Sequence, residues 1–282
     1  VRRRVVKILA GGMHLLDGKD RAMSCNHLLT CASNPKEEDS VQDLIHNLFI
    51  KLWFEIYQAQ SEVTPKISSR KEYYAKISEE MLNVIYHSLT TIVGTNSNIN
   101  ENLTIEYIKD ITRQLTTGYS RDGDANNEIQ HRSKRRAEME QHCRHLVEAF
   151  LEHLLSFEET KTLFQEKPES YVSSAHILVL IDTLSCACPE LIDMEVIQLL
   201  LPYLKPDIEN NKPTTAQMLT RHSSLITSTT LGIITRTLPF LSKSQVENIS
   251  SILVDDSVKI CYTGLGENIV AKATEVLCCL ER

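Results

Sequence analysis

Two runs of basic side chains are the residues in this sequence best suited to contact a ligand. Arg2, Arg3, Arg4 and Lys7 form the first, and Arg132, Lys134, Arg135 and Arg136 form the second, after a polar stretch near the middle. Either run could touch a sugar–phosphate backbone through charge alone, which would give duplex DNA contact without sequence preference and with strong salt dependence. Each run also has a plainer use. The first can pair with acidic residues of a preceding repeat, and the second can form the solvated start of a helix. The net charge of −7 over 282 residues argues against the whole surface serving as a nucleic-acid platform.

The nearest thing to a metal site is His142, Cys143 and His145, with Cys186 and Cys188 as a possible second pair. Cys143 falls on an apolar stripe, and the spacings differ from those of a closed four-ligand zinc site, so these read as core and surface residues. His14, His27, His46, His87 and His176 share no spacing that would make one of them a general base. No phosphate-cradling glycine loop, HExxH, GxSxG or tandem CxxC occurs. The expectation is therefore a protein that is not an enzyme, with no catalytic residue, no metal and no cofactor. Trp53, Phe54 and Tyr57 could stack on a base or anchor a peptide, but Phe49 and Trp53 extend a core stripe and read as packing.

The elements that must position these residues read as all-α. Apolar residues recur every three or four positions, β-branched alternation is almost absent, and only 9 glycines and 8 prolines occur. Val5, Ile8, Leu9 and Met13 mark a first helix, weakened by Gly11 and Gly12. Asp20 can cap a second helix, which closes at Asn34-Pro35 because the residue before proline is pushed out of the α region. The strongest pattern runs from Ser40 to Gln58, with Val41, Leu44, Ile45, Leu48, Phe49, Leu52 and Trp53 on a wide apolar arc that suits a helix with neighbours on two sides. Tyr74, Ile77, Met81 and Ile85 mark a further helix. Gly118 to Ser133 is polar and reads as an exposed loop.

The later helices are more regular. Cys143, Leu146, Val147, Phe150 and Leu154 form one face, followed by Ala175 to Ile181 and Leu191 to Leu201; Leu225 to Leu238, Val246 to Val254 and Ile269 to Leu280 complete the series. The pattern returns at roughly 45–50 residues, as in arrays of HEAT or armadillo helix pairs. This predicts a HEAT-like helical-repeat solenoid with helices over 1–117, an exposed mobile loop over 118–133 and helices again over 134–282. The eight cysteines are scattered within apolar helical patterns, which predicts reduced thiols and an intracellular protein. No uninterrupted apolar run is long enough to span a bilayer, so no membrane partner is expected.

Val1 to Leu9 (VRRRVVKIL), followed by Leu48 to Phe54 (LFIKLWF), resembles the Nipped-B family of cohesin loaders, whose HEAT array carries a similar VRKRVIKIL helix and an FQKLWF helix. Weaker similarity continues through His145 to Leu155, Ser174 to Leu180 and the helices from Leu225 to Leu280. The Lys51 to Phe54 element is the distinctive part; the later helices share mainly an apolar pattern with any HEAT protein, and the Gly11-Gly12 and 118–133 regions depart from the family. The resemblance implies an internal HEAT segment of a nuclear, chromatin-associated scaffold. That scaffold would grip the cohesin ring subunits and DNA, bind a smaller loader subunit through a region outside this segment, and promote ATP-dependent cohesin loading for sister chromatid cohesion. The ATPase would belong to cohesin. A different HEAT scaffold, a nuclear-transport receptor or a coat adaptor, would give the same periodicity.

Overall fold

The structure, a computed structural model, describes residues 2–34, 36–55, 69–93, 106, 108–110, 128–163, 169–204, 216–262 and 266–281. Among them the chain is all-α, with helices joined by turns and no strand. The helices are α1 (Arg2–Gly12), α2 (Gly18–Ala32), α3 (Asp39–Trp53), α4 (Arg70–Val93), α5 (Glu128–Leu163), α6 (Glu169–Ala187), α7 (Met194–Leu200), α8 (Ala216–Thr237), α9 (Lys243–Tyr262) and α10 (Glu267–Leu280). They form two compact units, Val1–His153 and Leu154–Arg282. The division falls within α5 and not in the 118–133 stretch that the polar composition suggested. Of that stretch, 118–127 lies outside the described residues, and the chain is already helical from Glu128.

In each unit several helices lie against the helix two places along the chain. In the first unit α1 packs on α3 and α2 on α4; in the second α6 packs on α8 and α8 on α10. Neighbours in sequence also touch, α2 with α3 and α9 with α10. Helix pairs whose corresponding members stack in this way make a helical repeat, in which each layer buries its apolar face against the next.

Local chemistry explains where the helices start and stop. The cap of α2 is Asp17, not Asp20: its carboxylate accepts from the Asp20 backbone N–H at 2.8 Å. Asp20 instead sits in the first turn, where a negative charge faces the positive helix end. Ser242 and Gln245 form a capping box for α9, with Gln245 Oε1 accepting from Ser242 N–H at 2.9 Å and Ser242 Oγ accepting from Gln245 N–H at 3.4 Å. Gly266, at φ 116°, turns the chain into α10 through a backbone region that side-chain-bearing residues avoid.

The core of the first unit is built on α3. Val41, Ile45, Phe49 and Trp53 follow one another at four-residue spacing and all four are fully buried. Trp53 is thus core, as its place on the apolar arc suggests, and α3 ends at Trp53, earlier than the periodicity to Gln58 implied, because Phe54 leaves helical geometry. Tyr74, Ile77, Met81, Val84 and Ile85 of α4 and Cys143, Leu146 and Phe150 of α5 complete that core. In the second unit α6 is buried on nearly every side from Ser174 to Ser185, with Ala175, Leu178, Leu180, Ile181 and Leu184 in the core, as expected of a helix enclosed by neighbours. Leu231, Ile233 and Ile234 of α8 and Ala273 and Val276 of α10 pack in the same unit.

Candidate functional site

The first basic run lies on α1, where Arg2, Arg3, Arg4 and Lys7 are all exposed around the buried Val6. At 100° per residue, Arg3, Arg4 and Lys7 share one side of the helix and Arg2 sits at the border with the core. Arg2 has a partner within the chain: its guanidinium donates to Glu37 Oε2 at 2.8 Å, with the arginine side chain 73% exposed and the glutamate 3%. The acid that pairs with Arg2 comes from the turn after α2. Glu37 also accepts from the Cys31 thiol at 3.3 Å and, through Oε1, from the Glu38 backbone N–H. The second run lies on α5. The side chains of Arg132, Lys134 and Arg135 fall outside the described residues, whereas Arg136 is exposed and donates to Glu140 at 2.7 Å, one turn along.

The rings of His142 and His145 both lie against Tyr74 of α4, and among the described residues no group of three or more His, Cys, Asp and Glu side chains is placed to hold a metal ion. The ring of His142 bridges two elements. Its Nε2–H donates to the carbonyl of Trp53 at 2.8 Å, and its Nδ1 accepts from the Tyr74 hydroxyl at 3.1 Å. A carbonyl can only accept, so the proton sits on Nε2 and the neutral ring satisfies both partners. Burial pushes the His142 ring down to about 4, opposed by the Trp53 carbonyl and assisted by neighbouring His145. The carbonyl it binds is one that helix termination leaves without an intrahelical partner, so His142 closes the end of α3. Tyr73 adds a second clasp by donating to the Glu55 carbonyl at 2.7 Å.

A second network ties α2, α3 and α4. Trp53 Nε1 donates to Glu80 Oε1 at 3.2 Å, and Arg21 binds Glu80 Oε2 at 2.7 Å. Cys25 is buried beside them, and its thiol is pushed up to about 12 by burial first and by Glu80 second, so it packs as a small apolar group. None of the eight cysteines forms a disulfide.

In the second unit the polar side chains that cross between helices gather along α6, α8 and α10. Arg236 is bonded to Asp182 and donates to Ser185 Oγ at 3.2 Å, while Lys272 donates to the Ser228 carbonyl at 3.0 Å and to its hydroxyl at 2.9 Å. Gly232 forms the floor: a Cβ there would meet Arg236, Asp182 and Lys272 at 3.4–3.5 Å. Burial pushes the Arg236 guanidinium down to about 10, which leaves it cationic near neutrality. Sequence reading passed over this cluster, and over Arg21 and Glu80. The signal available was a lone charge inside an apolar run, Asp182 in HILVLIDTLSC and Arg236 in LGIITRTLPF.

These groups hold helices together and present cationic surface. No helix among the described residues is long and apolar enough to cross a membrane. No protein-family model and no curated protein matches the chain.

Proposed function

We propose that this chain is a scaffold segment of a cohesin loader, holding cohesin ring subunits and duplex DNA while cohesin's own ATPase drives loading onto chromatin for sister chromatid cohesion in the nucleus. The observation that carries the scaffold reading is the recurrence in both units of helices stacked on the second helix along the chain. A repeat of that kind extends a surface by adding layers, so that several partners can be held without any catalytic group. The cohesin assignment rests on the similarity of VRRRVVKIL and LFIKLWF to the Nipped-B family. It is supported by the weight those residues bear, since Val6 is buried on α1 and Trp53 anchors the junction of α2, α3 and α4. A smaller loader subunit would bind outside this segment.

The DNA contact proposed for Arg3, Arg4, Lys7 and the Arg132 to Arg136 run is electrostatic, so it should be sequence-independent and fall steeply with salt. Two measurements test the reading. The chain is challenged with purified cohesin subunits and, in parallel, with nuclear-transport cargo; retention of cohesin alone supports the loader, and retention of cargo alone favours a transport receptor built on the same repeat. Fluorescence anisotropy with a labelled duplex then compares the wild type with Arg132, Lys134, Arg135 and Arg136 replaced by Glu. Weaker binding at unchanged helicity is the expected result, and equal binding removes that run from the interface.

A further inference from the structure

The exposed side of α1 combines three features. The first is unanswered charge. Arg3, Arg4 and Lys7 are exposed, and among the described residues their side chains form no ion pair, whereas Arg2 is held by Glu37. No acid occurs in residues 1–16. Asp39 and Asp43 are exposed on the neighbouring α3 but form no ion pair with these cations, and Asp17, at the far end, caps α2. The second feature is apolar surface. Val5 is 47% exposed and Ile8 72%, and Leu15, in the turn that follows, is 78% exposed. At 100° per residue Ile8 stands about 40° around the helix from Arg4 and about 60° from Val5, so cations and apolar side chains share one side. The third feature is a notch. Gly11 and Gly12 lie about 60° and 40° from Ile8, between it and Leu15 in sequence. A Cβ at either would meet nothing within 4 Å. Neither needs a left-handed backbone, which Gly266 alone adopts among the described glycines, and Gly12 has φ −95° and ψ −3°. Glycine weakens a helix, and here it serves neither the backbone nor the packing of its own chain. It leaves bare main chain on the exposed side, where another chain can approach closely.

We propose that this side of α1 docks an acidic amphipathic helix of a partner protein, its apolar side chains seated over Gly11 and Gly12 between Ile8 and Leu15 and its carboxylates answering Arg3, Arg4 and Lys7. A helix recognised in this way is held by apolar anchors one turn apart. Duplex DNA would satisfy the three cations and leave Val5, Ile8 and Leu15 in water, since contacts to DNA are polar and go largely to phosphate. An apolar helix without acids would leave the cations unanswered. A basic helix would meet like charge, as would α1 of a second copy. The acidic helix uses all three features. It goes beyond the DNA contact proposed above, which draws on the cations alone, and the two ligands would exclude each other on α1. A single helix face is a small interface, so the association is weak, with a dissociation constant on the order of 10–100 μM.

Fluorescence anisotropy on the whole chain tests this with a labelled designed helix of roughly five turns, carrying Leu at every third or fourth position and Glu on both flanks. Two control helices have every Glu replaced by Gln, or every Leu by Ser. Three variants of the chain are compared with the wild type: Arg3→Glu/Arg4→Glu/Lys7→Glu, Ile8→Ser, and Gly11→Gln/Gly12→Gln. Circular dichroism checks that each retains its helices. The wild type should bind the acidic helix and neither control. Charge reversal should weaken binding at least about tenfold. Ile8→Ser and the glycine pair should each weaken it about fivefold, the latter without loss of thermal stability, because glutamine is the better helix former. Absence of binding at several hundred micromolar protein, on the order of the weakest affinity expected, overturns the proposal; duplex bound in its place returns α1 to the DNA contact alone. Binding that falls on charge reversal but not at Ile8, Gly11 or Gly12 also overturns it, because the association would then be electrostatic only. Retention of cohesin plays no part in either result, so this contact and the loader reading fail separately.

Discussion

In the unit of residues 1–153, buried polar atoms reach across helices: Trp53 to Glu80, Arg21 to Glu80, Tyr74 to His142 and His142 to the Trp53 carbonyl. In the unit of residues 154–282, the hydroxyls of Thr183 and Thr237 are buried and donate to the carbonyls of Val179 and Ile233, one turn back on their own helices. A threonine satisfied on its own helix says nothing about its neighbour, so α6 and α8 fit by aliphatic shape, with ionic contacts at the edge through Asp182, Arg236 and Lys272. An aromatic side chain with a polar tip does the opposite, because it fills volume and also demands one partner in one direction. The first unit is therefore specified by a few directional groups and the second by the summed packing of many aliphatic ones. Single substitutions should expose that difference.

The largest effect is expected at Trp53. Replacement by Ala removes a fully buried indole and leaves Glu80 without its Trp53 donor, and should cost the first unit about 3–5 kcal/mol. Trp53 is the only tryptophan in the chain, so its fluorescence follows that unit alone in the wild type, while circular dichroism at 222 nm follows both. Urea melts of the wild type by the two probes show whether the units unfold separately, and the dichroism melt of Trp53→Ala gives the loss. A midpoint close to wild type would mean that Trp53 is not the keystone of the first unit.

A smaller effect is expected from pH in the first unit. The His142 ring titrates near 6.5 in an unfolded chain and at about 4 in the fold, so unfolding takes up a proton. The stability it contributes is complete above pH 6.5 and is lost as pH falls toward 4, in total about 3 kcal/mol. Burial lowers His153 as well, in spite of Glu79 and Glu152, which adds loss in the same direction. Between pH 7 and 5, before most carboxylates titrate, the Trp53-reported midpoint should fall. His142→Gln should flatten the slope, and an unchanged slope would assign it to other groups.

The two units also differ in how legible they were. Regular periodicity made the helices of both readable, and the four-residue run Val41, Ile45, Phe49, Trp53 identified α3 and its core face. The end of α3 was not readable, because it depends on Phe54 leaving helical geometry and on His142, 89 residues away, meeting the Trp53 carbonyl. Arg2 illustrates the same limit. It read as a cation for phosphate or for an acid of a preceding repeat, yet the turn after α2 brings a buried carboxylate to it. The basic runs themselves were visible as charge, but of the apolar residues that marked the first helix Val5 and Ile8 face solvent. Polar clusters spread over three helices, such as Asp182 with Arg236 and Lys272, have no local pattern to announce them.

That cluster carries the smallest predicted effect and probes the second unit. Asp182 and Arg236 are partly accessible, with side chains 19% and 32% exposed, so water screens part of their attraction and the pair is worth less than a dry one. Asp182→Ala deprives Arg236 of its charged partner but leaves Ser185 within reach, and should cost about 1–2 kcal/mol. Adding Arg236→Leu to Asp182→Ala should recover part of that loss, because the remaining guanidinium is no longer held in a partly desolvated position beside α6. The double variant therefore separates two accounts of α6 and α8. If aliphatic packing carries this unit, it should stand within about 1 kcal/mol of the wild type by the circular dichroism melt. If it falls as far as the two single losses combined, the ionic edge holds α6 to α8, and the second unit depends on directional polar contacts as much as the first.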